Sequence, residues 1–189
     1  MTKIAIVTGA SRGFGRGTAR ILASEAGYKV YATARTQSAL QSLQKEVAES
    51  NGAGEVISVV LDQSDDEAVA EFVRRVSASE EKIDLLVNSA YAGLIAMTPH
   101  FGKPFWERPI SVFDGSMDIG VRGAYVMSAL VAPAMVKAKH GLIVQISSYG
   151  GFVYVFDVGY GVAHAAMDRL SFDMATELQD HNVRAVTLH

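Results

Sequence analysis

The residues Gly9-Ala10-Ser11-Arg12-Gly13-Phe14-Gly15 have the composition and spacing of an anion cradle. They follow the apolar run Ile4 to Val7 and open a helical pattern. Gly9 lets the chain turn sharply off a strand, and Gly13 lets the backbone approach a pyrophosphate. Gly15 lets the new helix pack closely, while the helix start offers unpaired N–H groups to the anion. A tight strand-to-helix turn without a ligand is the structural alternative for the same glycines.

Such a cradle works only on a rigid frame, and the remaining sequence supplies one. Short β-branched runs alternate with amphipathic segments from end to end, the pattern of βαβ units building a parallel sheet. Strands are expected at about 3–8, 29–34, 55–61, 83–88, 141–147 and 183–188. Helices are expected at about 14–26, 37–50, 65–79, 112–138 and 160–181. These elements fit one doubly wound α/β domain spanning residues 1–189. The interruption is residues 93–111, which carry three of the 4 prolines and break every period. This excursion follows the fourth strand, at the carboxyl end of the sheet where ligands bind in such folds. Phe101, Phe105 and Trp106 either line a substrate mouth or simply hold the loop to the surface.

Composition narrows the function. With 189 residues and 49% hydrophobic content, the chain supports one domain with a sizeable core. A formal charge of −3 gives no basic field for nucleic acid and no polybasic run for a membrane surface. With 0 cysteines there is neither a disulfide framework nor a thiol nucleophile, which makes the cytoplasm the expected compartment. The apolar start is too short for a secretory segment, so the mature chain is expected to begin at Met1. The 5 histidines, His100, His140, His164, His181 and His189, fall on different elements and form no metal-ligand spacing.

The loop spacing, glycine, three residues, glycine, one residue, glycine, resembles the short-chain dehydrogenase/reductase family. The likeness continues in Asn88-Ser89-Ala90 with Gly93, in Ile146-Ser147-Ser148, and in Tyr160 beyond them. It covers essentially the whole sequence. Phe105-Trp106-Glu107 and Gly120-Val121-Arg122-Gly123 look more narrowly like the member one subgroup of animal dehydrogenase/reductases. The resemblance implies a Rossmann-type fold and a nicotinamide dinucleotide. Family members continue past the sixth strand with a Pro-Gly turn, a substrate lid and a seventh strand. This sequence stops at His189, so a six-stranded sheet with an exposed edge and no lid is expected.

For the cofactor, NADP is expected over NAD. An acid at the end of the second strand would bind the ribose hydroxyls and repel a 2′-phosphate. Here that strand ends in Thr33-Ala34-Arg35, a neutral residue followed by a guanidinium able to pair a phosphate. Arg12 is a second cation for the same role, with solvated surface charges as the alternative for both arginines. Asp62 resembles the family residue that meets the adenine amine, or else caps the helix that follows. Asn88 and Ala90 match the backbone beside the adenosine ribose.

Hydride transfer to a carbonyl leaves negative charge on oxygen, which calls for a proton donor and a hydrogen-bond donor. By resemblance these are Tyr160 and Ser148. Ser147, one residue earlier, is expected to point to the other strand face. The family sets a lysine four residues after the tyrosine, where its charge favours phenolate; here that residue is His164. No lysine follows Lys139, and Arg169 falls on the opposite side of the helix. A histidine near its ordinary pKa is mostly neutral at pH 7, so cofactor binding and tyrosine activation should both weaken. A second departure is Gly120, where the family often carries an asparagine in a proton path, although the subgroup shares the glycine.

Two functions fit: an NADP-dependent carbonyl reductase or alcohol dehydrogenase with His164 as a weakened or pH-tuned partner, and a non-catalytic dinucleotide-binding scaffold. Steroids, quinones, aldehydes and ketoacids all remain open as substrates. The resemblance also implies a homodimer or homotetramer paired through the helices at 112–138 and 160–181.

Overall fold

The computed structural model describes residues 2–50 and 52–189. Its strands are β1 (Ile4–Thr8), β2 (Lys29–Ala34), β3 (Glu55–Val60), β4 (Leu85–Asn88), β5 (Gly141–Ile146) and β6 (Val183–Leu188). All pair in parallel, in the order β3-β2-β1-β4-β5-β6. This is the doubly wound Rossmann arrangement, with β6 at one edge.

β1 and β4 are buried along their whole length, as central strands covered on both faces must be. Alternate residues feed two cores. Ala5 and Val7 face α1 (Gly13–Ser24) and α2 (Gln37–Glu49) through Ala19, Ala23, Leu40 and Leu43. Ile6, Leu86 and Ile143 face α3 (Asp66–Ser79) and a later helix through Phe72, Met127, Val131 and Met135.

The excursion after β4 is more ordered than its prolines suggest. It contains α4 (Gly93–Met97) and 3₁₀ turns at Thr98–His100 and Phe105–Glu107, before α5 (Ile110–Ser116). Pro99 lies in the first turn of one element, and Pro104 and Pro109 stand directly before two others. Proline's fixed φ suits a helix start, so residues that read as breakers act here as initiators.

The expected long helix runs from Ile110 to Ala138, but a π-helical stretch, Met117–Gly123, separates α5 from α6 (Ala124–Ala138). An 18-residue window of this 29-residue run has a mean hydropathy of 1.5, long and apolar enough to cross a membrane, yet Met127, Val131 and Met135 pack against the sheet. The last helix, α7 (Val158–Leu178), starts just ahead of Tyr160.

Asp84 fastens the amino ends of the central strands. One carboxylate oxygen accepts the Ile4 N–H at 2.8 Å, and the other meets His140 Nε2 and Lys82 Nζ, each at 2.9 Å. Burial alone would raise this carboxyl's pKa, but the three donors together hold it below the ordinary value. Asp84→Ala should therefore lower stability by about 1–3 kcal/mol, since the Ile4 N–H loses its acceptor. Urea unfolding at pH 7 measures this; no change in midpoint would contradict it.

Candidate functional site

A cleft of about 680 Å³ opens at the carboxyl ends of β1 and β4, where the strand order reverses. Gly9, Ser11, Arg12, Gly13, Phe14 and Gly15 line one wall, and Tyr160 and His164 line another.

Gly9 has φ +69, and a Cβ there would lie 2.8 Å from both the Ala90 Cα and the Ser89 carbonyl oxygen. Thr8 closes the same junction, its hydroxyl oxygen accepting the N–H groups of Ser89 and Ala90 at 3.0 and 3.1 Å. At Gly15 a Cβ would meet the Gly9 carbonyl oxygen at 2.5 Å, so α1 packs on the loop itself. Gly13, with φ +56, has no atom within 4 Å of a Cβ position and keeps the cradle floor open. Arg12 precedes α1 without a side-chain cap, and no acid lies in the first helical turn. These free N–H groups and the lack of an acid in the first helical turn fit a bound phosphate.

Ala34 and Arg35 line the cleft next to the loop, as does Asp62. Arg35 is two-thirds exposed, with its guanidinium 4.0 Å from the Asp62 carboxylate. Asp62 accepts the Ser64 N–H at 2.9 Å and the Ser64 hydroxyl at 2.7 Å, which hold its carboxyl below the ordinary range, and Arg35 adds to the effect. The capping alternative for Asp62 is not realised: Asp65 caps α3 through the Ala68 N–H. Asn88 is turned inward, 2% exposed, and donates to the Ser128 hydroxyl at 2.9 Å. Ser89 and Ala90, rather than the Asn88 side chain, reach the cleft.

Tyr160 is 8% exposed and has its N–H held at 2.6 Å by Asp157, the cap of α7. Ser148 caps the turn Tyr149–Gly151 by accepting the Gly150 N–H at 3.2 Å. A Cβ at Gly150 would lie 2.5 Å from the Tyr160 ring and 3.6 Å from Ser148 Oγ, so both side chains converge on this glycine. Ser147 does not point away from the site as expected. It lines the cleft, and its hydroxyl lies 3.4 Å from His164 Nδ1 and 3.3 Å from the His164 carbonyl oxygen. The backbone stays extended through Ser148, and the Ser147 N–H still pairs with the Leu188 carbonyl at 2.8 Å, so the strand face that carries Ser147 is the one that meets His164 of α7.

His164 is 5% exposed, with its ring 4.2 Å from Tyr160 and 5.1 Å from Tyr91. Its Nε2 is buried without a hydrogen-bond partner among the described residues. Burial lowers its pKa to about 4; Asp168 opposes the shift and His189 adds to it. Burial thus favours the neutral imidazole, which runs against a pH-tuned role near neutrality.

Tyr91, which sequence reading missed, closes the cleft behind these residues. Its hydroxyl lies 3.1 Å from Ser116 Oγ, and burial pushes its pKa up to about 12. The ring fills the space beside Gly120, where a Cβ would lie 2.7 Å from Tyr91 and 2.5 Å from Met167. An asparagine at 120 has no room, which accounts for the departure from the family pattern. From the excursion, Leu94, Ile95 and Thr98 line the cleft. Phe105 and Trp106 meet edge to face, 62% and 72% exposed, and Phe101 packs on Phe156; none of these three lines the cleft.

The buried imidazole also sets a stability signature. Above pH 6.5 His164 is neutral both folded and unfolded; below that the unfolded chain takes up a proton that the folded chain refuses until about pH 4. Stability should fall across this window, and His164→Gln should flatten the decline. Urea midpoints from pH 7 to 4 measure it; an unchanged slope in the variant would contradict it.

Residues 3–189 match the family model of the short chain dehydrogenases. Mouse and human dehydrogenase/reductase SDR family member 1 are each 43% identical over 187 residues, covering 98% of this chain and 59% of the relative. The chain thus spans about three-fifths of their length. An NADP-dependent 3-hydroxy acid dehydrogenase of Salmonella typhi is 31% identical, covering 98% of this chain and 70% of the relative. A metagenomic short-chain oxidoreductase solved in complex with NADP superposes with a TM-score of 0.87 at 32% identity, covering 98% of this chain and 80% of the other. With its strand order, its glycine loop and the residues gathered around Tyr160, this chain belongs to the short-chain dehydrogenase family.

Proposed function

We propose that the chain transfers hydride between NADP(H) and a carbonyl or secondary alcohol, with Tyr160 exchanging the proton and Ser148 binding the substrate oxygen. The observation carrying this reading is that an open phosphate cradle and the buried Tyr160 line one continuous cleft. Gly9, Ser11, Arg12, Gly13, Phe14 and Gly15 would hold the pyrophosphate, and Asp62, Ser89 and Ala90 the adenosine end. Arg12 and Arg35, beside the neutral Ala34, favour a 2′-phosphate over free ribose hydroxyls. His164 Nε2, buried and unpartnered, would face the nicotinamide ribose. When bound, the cofactor supplies or accepts the hydride.

The neutral His164 sets the direction. A phenol needs a neighbouring cation to act as a base at neutral pH, but none to give its proton to a developing alkoxide. Tyr160 is therefore better suited to reduction: its Oη–H proton passes to the carbonyl oxygen and is restored from solvent. Ser148 donates a hydrogen bond to the same oxygen as charge develops. The same neutrality favours a second reading, a dinucleotide-binding scaffold without turnover. By family likeness the chain would pair through α6 and α7, on which Tyr125 and Phe172 stand 56% and 65% exposed.

The test is NADPH oxidation with a panel of steroids, quinones, aldehydes and ketoacids. Tyr160→Phe should lower turnover by on the order of a hundredfold or more, the usual contribution of a positioned acid. His164→Lys should raise it by about tenfold or more, because Asp168, one turn on and without a hydrogen-bond partner among the described residues, can pair the ammonium. If neither the natural chain nor His164→Lys oxidises NADPH, the scaffold reading replaces the reductase.

A further inference from the structure

The capping of α7 uses more than a cap requires. Asp157 accepts the Tyr160 N–H on one carboxylate oxygen at 2.6 Å, which alone would satisfy the helix start. Its other oxygen receives Arg108 Nη1 at 2.6 Å, from the excursion 49 residues earlier in the chain. The two side chains are 7% and 4% exposed. Burying such a pair gains little net stability against an apolar pair of equal volume, whereas exact geometry is what it does enforce.

The surroundings point the same way. Arg108 Nε donates to the Lys103 carbonyl at 2.8 Å, closing the turn that presents the guanidinium. Just before Asp157, Phe156 adopts φ +65, a left-handed conformation that a bulky side chain enters only under constraint. Its ring stands edge-on to Tyr160, with centroids 5.0 Å apart, and to Phe101 of the excursion at 5.7 Å. One ionic and one aromatic link therefore run in parallel from the excursion to the start of α7, and both end at Tyr160.

We infer that Arg108 and Asp157 are positioning residues for Tyr160: the ion pair fixes the first turn of α7, and with it the direction of the phenol, against the wall formed by residues 93–111. This rests on the reading of Tyr160 as proton donor. The pair touches neither substrate nor cofactor. It acts by holding the backbone N–H of the residue that does, and misplacement of a reacting group lowers rate rather than binding.

The test places 3-fluorotyrosine at position 160 of the full chain and records its fluorine resonance in the natural sequence and in Arg108→Gln, Arg108→Lys and Asp157→Asn. Circular dichroism confirms that each variant folds. Arg108→Gln should shift or split the resonance and lower kcat on the order of ten- to a hundredfold, with KM for the carbonyl changed far less. Asp157→Asn keeps an acceptor for the Tyr160 N–H but loses the charge, and should also move the resonance. Arg108→Lys, which keeps the charge, should return both readouts towards the natural values. An unmoved resonance in folded Arg108→Gln and Asp157→Asn would overturn the inference and leave the pair as a mere staple for the excursion. If neither the natural chain nor His164→Lys reduces a carbonyl, the proton-donor reading fails, and the fluorine signal still decides whether the pair orients Tyr160.

Discussion

Everything in the cleft depends on how closely two backbone segments approach at the reversal of the sheet. Gly9 turns off β1 directly against Ser89 and Ala90 at the end of β4, leaving no space for a Cβ. The Thr8 hydroxyl oxygen pins that contact by accepting both N–H groups. Because β2 and β3 wind outward from one side and β5 and β6 from the other, the chain cannot cover the crevice above this junction. The closeness of Gly15 to the Gly9 carbonyl then sets α1 with its free N–H groups facing the crevice. Any side chain at Gly9 would push apart the two halves that the cleft needs together.

The opposite wall is governed by burial. His164, Tyr91 and Tyr160 form one aromatic cluster, with ring centroids between 4.2 and 6.0 Å apart. Such packing excludes water, and water is what would stabilise an imidazolium. The wall is thus well ordered and short of positive charge at the one place where the family's chemistry uses it. Hydrogen-bond donation to a developing alkoxide survives that loss better than base catalysis does.

Much of this was legible in the sequence, and the reasons are local. Alternating apolar runs and glycine spacing gave all six strands, because strand periodicity and a positive-φ turn are written into adjacent residues. Arg12, Arg35, Asp62, Tyr160 and His164, which family likeness singled out, line one cleft. Contacts between distant segments were not legible. Nothing near Arg108 signals Asp157, although Asp157 itself has the form of a helix cap. Tyr91 was read only as part of a motif, yet its ring explains Gly120. The prolines of 93–111 misled because the same fixed φ that ends a helix also begins one. Ser147 was misjudged because strand alternation says which face it takes but not that His164 of α7 packs on that face.

The most direct measurement of the central claim, that the cleft is a site for a phosphorylated nicotinamide dinucleotide, is fluorescence titration of the purified chain with NADPH and with NADH. Saturable binding of NADPH, with markedly weaker binding of NADH and loss of the preference in Arg35→Ala, is the result this structure predicts. Failure to bind either dinucleotide would contradict it.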